Sequence, residues 1–206
     1  MRVGIFGGAF NPPHIGHLVC AQEAHAHLAL DTLVWVPMGQ PPHREIEDDP
    51  GREARYTMCE YATSADERFS LSRFEIDREG PSYTVDTLRA VAESTPGAEL
   101  FVILGADQAA ALPTWHEPEE VLSLATVAAV ARAERTREMV VDAVSSLAGG
   151  DRVVFFDMPR IDVSSTLVRS RARAGQPIRY LVPDKVANYI GAQSLYGSSQ
   201  PVGAER

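Results

Sequence analysis

The 206 residues carry 19 basic and 28 acidic side chains, a formal net charge of −9, which excludes general nucleic-acid binding because that needs a basic footprint. A hydrophobic content of 45% excludes a disordered chain and suits one α/β domain with a full core. No apolar run is long enough to span a bilayer, and Cys20 and Cys59, the only cysteines, offer neither a disulfide framework nor a Cys-based zinc cluster; with no signal-peptide pattern, a cytoplasmic protein in a reducing compartment is expected, with no membrane contact.

In chain order, Arg2 to Phe6 is an apolar run that reads as a buried strand. Gly7 to Pro13 reads as a loop, glycine-rich and then stiffened by two prolines; the glycines let the backbone turn and approach a ligand. Ile15 to Ala29 reads as a helix, and His14 and His17, three residues apart at its start, share a face. A strand, a Gly-rich loop and a helix N-terminus make an anion site. Two imidazoles able to donate to phosphate oxygens turn it into a site for polyphosphate. Thr32 to Met38 is a second strand. After it, Gln40 to Pro50 is a polar, Pro-rich loop with an acidic run, Glu45 to Asp49, expected to be mobile. Gly51 to Ala65 reads as a helix, Phe69 to Ile76 as a short or irregular strand and Tyr83 to Glu93 as a helix. Strands are expected at Glu99 to Leu104, Thr126 to Ala131 and Arg152 to Asp157. Helices are expected at Glu119 to Leu124 behind Pro118, Arg135 to Leu147, Ser165 to Ala174, and Asp184 to Ile190 between Pro183 and Gly191. Tyr196 to Arg206 is Gly/Ser-rich and expected to fray. The domain is therefore placed at residues 1–192, with a flexible tail at 193–206.

Alternating apolar strands and helices predict a single-domain α/β fold, a doubly wound Rossmann-like parallel sheet with helices on both faces. Ligands of such sheets gather at the carboxyl ends of the strands. The Gly7 loop, Gly105-Ala106-Asp107 and Asp162 to Ser165 all follow strands and should meet there. There is no P-loop motif, no Gly-x-Gly-x-x-Gly after the first strand and no Gly-x-Ser-x-Gly elbow. Arg160, Arg169, Arg171, Arg173, Arg179 and Lys185 form a basic stretch that reads either as an anion site or as a solvated helix face.

His14 and His17 read as phosphate donors, as capping or packing residues, or as metal ligands. The metal reading is weakened because His25 and His27 sit at a poor helical spacing and no His-Glu-x-x-His is present. His14-Ile15-Gly16-His17, preceded by Gly8, Phe10 and Pro12, resembles the His-x-Gly-His signature of the nucleotidylyltransferase superfamily. Ser164 and Ser165 are good N-cap residues whose hydroxyls and free N–H groups can hold phosphate oxygens, with Arg169 one turn on. The alternative is an ordinary capped helix with a surface arginine. This segment, Val163 to Arg169, resembles the superfamily's second signature, which grips triphosphate. Three further segments resemble the bacterial nicotinate-nucleotide adenylyltransferases: Met38-Gly39-Gln40-Pro41-Pro42-His43-Arg44, Gly80 to Leu88, and Gly105-Ala106-Asp107 with Pro113-Thr114-Trp115.

That resemblance implies adenylyl transfer from ATP to nicotinate mononucleotide, giving deamido-NAD and pyrophosphate in NAD biosynthesis. It assigns ATP to Gly7, Gly8, Ala9, Phe10, His14, Gly16, His17, Ser164, Ser165, Thr166 and Arg169, with His14, His17 and Arg169 catalytic. It assigns the mononucleotide to Gly8, Arg44, Ser82, Tyr83, Thr84, Gly105, Asp107 and Trp115. Thr84 and nearby amides would hold the nicotinate carboxylate, and Trp115 would stack on the ring. Mg²⁺ is expected with ATP, without a protein metal site. Asn11 stands where many relatives have Asp, and His116 where Tyr is frequent. The alternatives are a sibling transferase acting on nicotinamide mononucleotide or phosphopantetheine, a non-catalytic nucleotide-binding module, and a metal-dependent hydrolase built on the histidines. The sequence leaves monomer and homo-oligomer both open.

Overall fold

In chain order the elements are β1 (Arg2–Gly8), α1 (Ile15–His27), β2 (Thr32–Pro37), α2 (Arg52–Thr63), β3 (Phe69–Leu71), α3 (Phe74–Asp77), α4 (Thr84–Ser94), β4 (Glu99–Gly105), α5 (Ala106–Ala110), α6 (Pro118–Leu124), β5 (Thr126–Val130), α7 (Glu134–Val144), β6 (Val153–Phe156), α8 (Ser165–Arg173) and α9 (Asp184–Ala192). The structure is a computed structural model, and it describes residues 1–42, 45–131 and 134–198. The six strands pair in parallel in the order β3-β2-β1-β4-β5-β6. The order reverses direction between β1 and β4, and an open α/β sheet opens its ligand crevice at such a reversal, beyond the carboxyl ends of the strands. The expected doubly wound fold is therefore present.

Successive strand residues face opposite sides of the sheet, so the apolar runs feed two cores. Val102 and Leu104 of β4 join Val3, Ile5 and Val127 under α4, α6 and α7. Phe101 and Ile103 of the same strand join Phe6, Leu33, Trp35 and Ala128 under α1, which supplies Cys20, Ala21 and Ala24. Continuous apolar runs are the signature of strands covered on both faces. Each Val, Leu, Ile or Phe among them taken from water stabilises the fold by about 1.5–3 kcal/mol. A third cluster packs Met58 of α2 against Val168 and Ala172 of α8 and Val186 and Ile190 of α9. It seats the C-terminal helices beside the strand ends.

Four expectations change. Gly7 and Gly8 are the last residues of β1, not a loop. The chain turns after them, at Phe10 (φ 46°) and the cis Asn11–Pro12 bond. The segment read as one strand from Phe69 splits into β3 and α3, where the Ser72 hydroxyl accepts from the Phe74 N–H at 3.1 Å and starts the helical turn. Gly105 leads directly into α5, which the sequence did not announce. Finally, the tail drawn from 193 onward begins too early. Residues 195–197 form a 3₁₀ turn, and Tyr196 is buried against the third cluster.

Candidate active site

β1 delivers the chain to α1 at the carboxyl edge of the sheet, where His14 is the N-cap. The Gly16 N–H donates to His14 Nδ1 at 3.2 Å, and the His14 N–H donates to His17 Nδ1 at 3.1 Å, a capping box built from two imidazoles. Both Nδ1 atoms are thus acceptors, so each neutral ring carries its proton on Nε2. The rings stack with centroids 3.7 Å apart. A Cβ on Gly16 would lie 3.0 Å from the His14 ring, which is why a glycine separates the two histidines. Phe10 closes the other side, edge-on to His17 at 5.1 Å. A Cβ on Gly8 would press on the Phe10 ring at 3.2 Å, whereas Gly7 faces open space. Gly8 therefore makes room for Phe10, and Gly7 leaves the end of β1 open.

Burial lowers the His14 pKa to about 4 and, with the neighbouring His14, holds His17 well below its ordinary 6.5. Both are neutral Nε2–H donors at neutral pH. Protonation would turn each Nδ1 from an acceptor into a donor facing the N–H it now accepts. The folded values lie below the unfolded ones, so this contribution to stability is complete above about pH 6.5 and is lost as pH falls from there through about 4. The ring-proton NMR signals of His14 and His17 should accordingly show no titration near 6.5, while the melting temperature starts to decline there. A titration of either ring centred on 6.5 would contradict the neutral assignment.

The second motif meets the first directly. Ser165 Oγ donates to the Pro12 carbonyl at 2.9 Å, and Ser164 Oγ caps α8 by accepting from the Leu167 N–H at 3.1 Å. Thr166 is exposed in the first turn. Arg169 is no surface arginine: its side chain is 7% exposed. Its Nη1 donates to the Asn11 carbonyl at 3.1 Å, its Nη2 to Glu47 at 2.5 Å and its Nε to Asp48 at 3.3 Å. Arg173 holds the other Asp48 oxygen at 2.8 Å, and Arg173 and then Arg169 keep the Asp48 carboxyl below the usual range.

Four residues that the sequence reading left unassigned organise this edge. Asn11 donates through Nδ2 to the Glu47 carbonyl at 2.7 Å and accepts at Oδ1 from the Tyr196 hydroxyl at 2.7 Å. An aspartate could not donate to that carbonyl, which accounts for the amide here. Arg55 is fully buried; it donates to the carbonyls of Ala9, Met38 and Gly39 and to the Asp49 carboxylate. It shares the buried face of α2 with Met58 and Cys59. A charge on an apolar stripe is the signal that could have found it.

Glu75 is the fourth. Its carboxylate accepts from Thr87 Oγ1 at 2.8 Å and from the Gly39 N–H at 3.4 Å, and burial raises its pKa. A Cβ at Gly39 would sit 2.0 Å from the Glu75 carbonyl oxygen, so only glycine lets the β2 exit touch α3. The Ser82 N–H donates to the Gln40 carbonyl at 2.8 Å. Tyr83, the N-cap of α4, makes no side-chain cap. Its ring lies 4.4 Å from that of His116, which brings the Ser82-Tyr83-Thr84 segment to Trp115. Trp115 is half-buried against the first core, and Gly105 and Asp107 are exposed at the end of β4. Arg44 lies outside the described residues.

Among the described residues no group of three or more His, Cys, Asp or Glu side chains is arranged to hold a metal ion, and no helix is long and apolar enough to cross a membrane.

Residues 5–171 match the model of the cytidylyltransferase-like family. The chain is 46% identical over 203 residues to the probable nicotinate-nucleotide adenylyltransferase of Corynebacterium kroppenstedtii, covering 98% of this chain and 94% of that one. It is 42% identical over 192 residues to the protein of the same name from Tropheryma whipplei strain Twist, covering 93% and 98%. Among solved structures, the Plasmodium falciparum nicotinic acid mononucleotide adenylyltransferase complexed with APC superposes with a TM-score of 0.72 at 15% identity, covering 96% of this chain and 98% of that one, a likeness of fold.

Proposed function

The chain belongs to the cytidylyltransferase-like family and, within it, to the nicotinate-nucleotide adenylyltransferases, and from that membership we propose that its site joins ATP to nicotinate mononucleotide, forming deamido-NAD and pyrophosphate. The observation that carries the reading is the contact between the two signatures. Two neutral Nε2–H donors at the start of α1 adjoin the start of α8 through the Ser165–Pro12 hydrogen bond.

In the proposed reaction a 5′-phosphate oxygen of the mononucleotide attacks the α-phosphorus of ATP in line. The bond from that phosphorus to the β-bridging oxygen breaks, and pyrophosphate leaves with the electron pair. No side chain is a nucleophile, so catalysis is positioning and charge stabilisation. His17 donates to the α-phosphate as negative charge grows, and His14 holds the bridging region. Ser164, Ser165, Thr166 and Arg169 hold the β- and γ-phosphates. The first turn of α4, whose N-cap Tyr83 makes no side-chain cap, supports the assignment of the nicotinate carboxylate to Thr84 and its neighbouring amides. Trp115 offers a half-buried aromatic face to the ring. Mg²⁺ would come with the ATP phosphates, which normally carry it with few protein ligands.

Pyrophosphate release with ATP and Mg²⁺, compared across nicotinate mononucleotide, nicotinamide mononucleotide and phosphopantetheine, tests the proposal. The nicotinate form should be strongly preferred. Trp115→Ala should raise its KM by roughly 5- to 150-fold, the loss of about 1–3 kcal/mol of stacking. Preference for another acceptor, or an unchanged KM, would overturn the Thr84 and Trp115 roles.

A further inference from the structure

The proposed reaction makes no use of the acidic run at 45–49, yet its side chains sit on the arginines of the site. Glu47 and Asp48 take two edges of the Arg169 guanidinium, Asp48 also takes Arg173, and Asp49 takes Arg55. Carboxylates and phosphates compete for the same guanidinium N–H groups with the same fork geometry. As it stands, Arg169 has its Nη1 on the Asn11 carbonyl and its Nη2 and Nε on carboxylates. These bonds use three of the five N–H donors, and the side chain is only 7% exposed, so a triphosphate reaching the guanidinium competes with those two carboxylates for it.

More than charge attraction holds the segment there. The Asn11 amide donates to the Glu47 carbonyl at 2.7 Å, which fixes the backbone at the point where the carboxylates project. That amide is in turn fixed by the buried Tyr196 hydroxyl, donated to Oδ1 at 2.7 Å across 185 residues of sequence. Burial pushes the Tyr196 phenol well above its ordinary range, so it stays a donor at any working pH. We propose that Asn11 and Tyr196 are positioning residues that hold the Glu47–Asp48 segment on Arg169 as the resting occupant of the triphosphate subsite, so that ATP binds by displacing it. This rests on the reading of Arg169 as a triphosphate ligand. If the docked form is populated at roughly 70–90%, it weakens phosphate binding about three- to tenfold, since only the undocked fraction is competent.

The test is calorimetric binding of inorganic tripolyphosphate, together with KM for each substrate, in Glu47→Gln, Tyr196→Phe and Arg169→Gln. Glu47 is 75% exposed, so its substitution leaves folding intact. Tyr196→Phe changes no charge, and its melting curve checks that it folds. Both variants should bind tripolyphosphate and ATP roughly three- to tenfold more tightly, with KM for the mononucleotide unmoved; a merely structural tyrosine would lower the melting temperature and leave KM for ATP alone. Unchanged or weaker binding in both variants, with Arg169→Gln weakened, would overturn the latch and spare the triphosphate reading. Tightening in Glu47→Gln alone would reduce the effect to charge and overturn the Asn11 and Tyr196 roles. Wild-type binding by Arg169→Gln would sink the triphosphate reading and the latch with it.

Discussion

His17→Ala should lower kcat by roughly 10²–10³-fold, the size expected for one preorganised donor to charge that develops in the transition state, while KM for ATP changes little. Removing an interaction that strengthens only as the α-phosphate gains charge acts on kcat. The structure gives this expectation its specific form. His17 Nδ1 is committed to the His14 N–H, so Nε2–H is the donor and the ring needs no reorganisation to present it. Phe10 packs edge-on to the ring and restricts its alternative positions. Burial and His14 keep it neutral, so the donor is the same species across the working pH range. Truncation also strips the His14 N–H of its acceptor, which costs about 1–2 kcal/mol of stability. Steady-state pyrophosphate release at saturating substrates, with a melting curve beside it, separates the two effects. A fall of less than tenfold in a folded variant would remove His17 from the transition state.

Much of this could be read from the sequence, for physical reasons that also mark where reading stops. β1, β4 and β5 were legible because strands covered on both faces are nearly continuous apolar runs, and Phe101 to Leu104 needs no partner to announce itself. α1 was legible by its length, and its histidine pair by a spacing that local geometry fixes. α5 was not, since five residues complete barely more than one turn and carry no period. Gly7 and Gly8 were misplaced because glycine signals permission to turn and cannot say that β1 instead runs through them, so that Phe10 fits beneath Gly8. The roles of Asn11 and Tyr196 rest on one hydrogen bond between residues at opposite ends of the chain, and no local pattern encodes such a pairing. Arg169 was marked as an anion ligand, but its burial against residues 47 and 48 depends on how a loop more than 120 residues away folds back.

Arg55→Met should destabilise the fold by about 3–5 kcal/mol, lowering the melting temperature by roughly 6–20 °C for a domain of this size. The guanidinium is fully buried, and its forked N–H groups serve four acceptors: the carbonyls of Ala9, Met38 and Gly39, and Asp49. Methionine fills the volume but donates nothing. Three backbone oxygens then lose this charged donor, at about 1–3 kcal/mol for each one left unpaired in the interior. Arg55→Lys should recover only part of the loss, because an ammonium is a point donor and cannot span carbonyls on two strand exits. Asp49→Asn should cost less still, since Asp49 is partly solvated. Urea denaturation of the three variants orders them, and a loss below about 1 kcal/mol in Arg55→Met would show that water enters and satisfies the carbonyls. The same geometry predicts where activity fails first. Ala9 follows β1 on the side assigned to ATP, and Gly39 follows β2 on the side assigned to the acceptor, so a side chain bonded to both sets the distance between them. In the folded fraction of Arg55→Lys, kcat should therefore fall more than either KM rises, because the loss is of alignment between two bound substrates and not of contact with one.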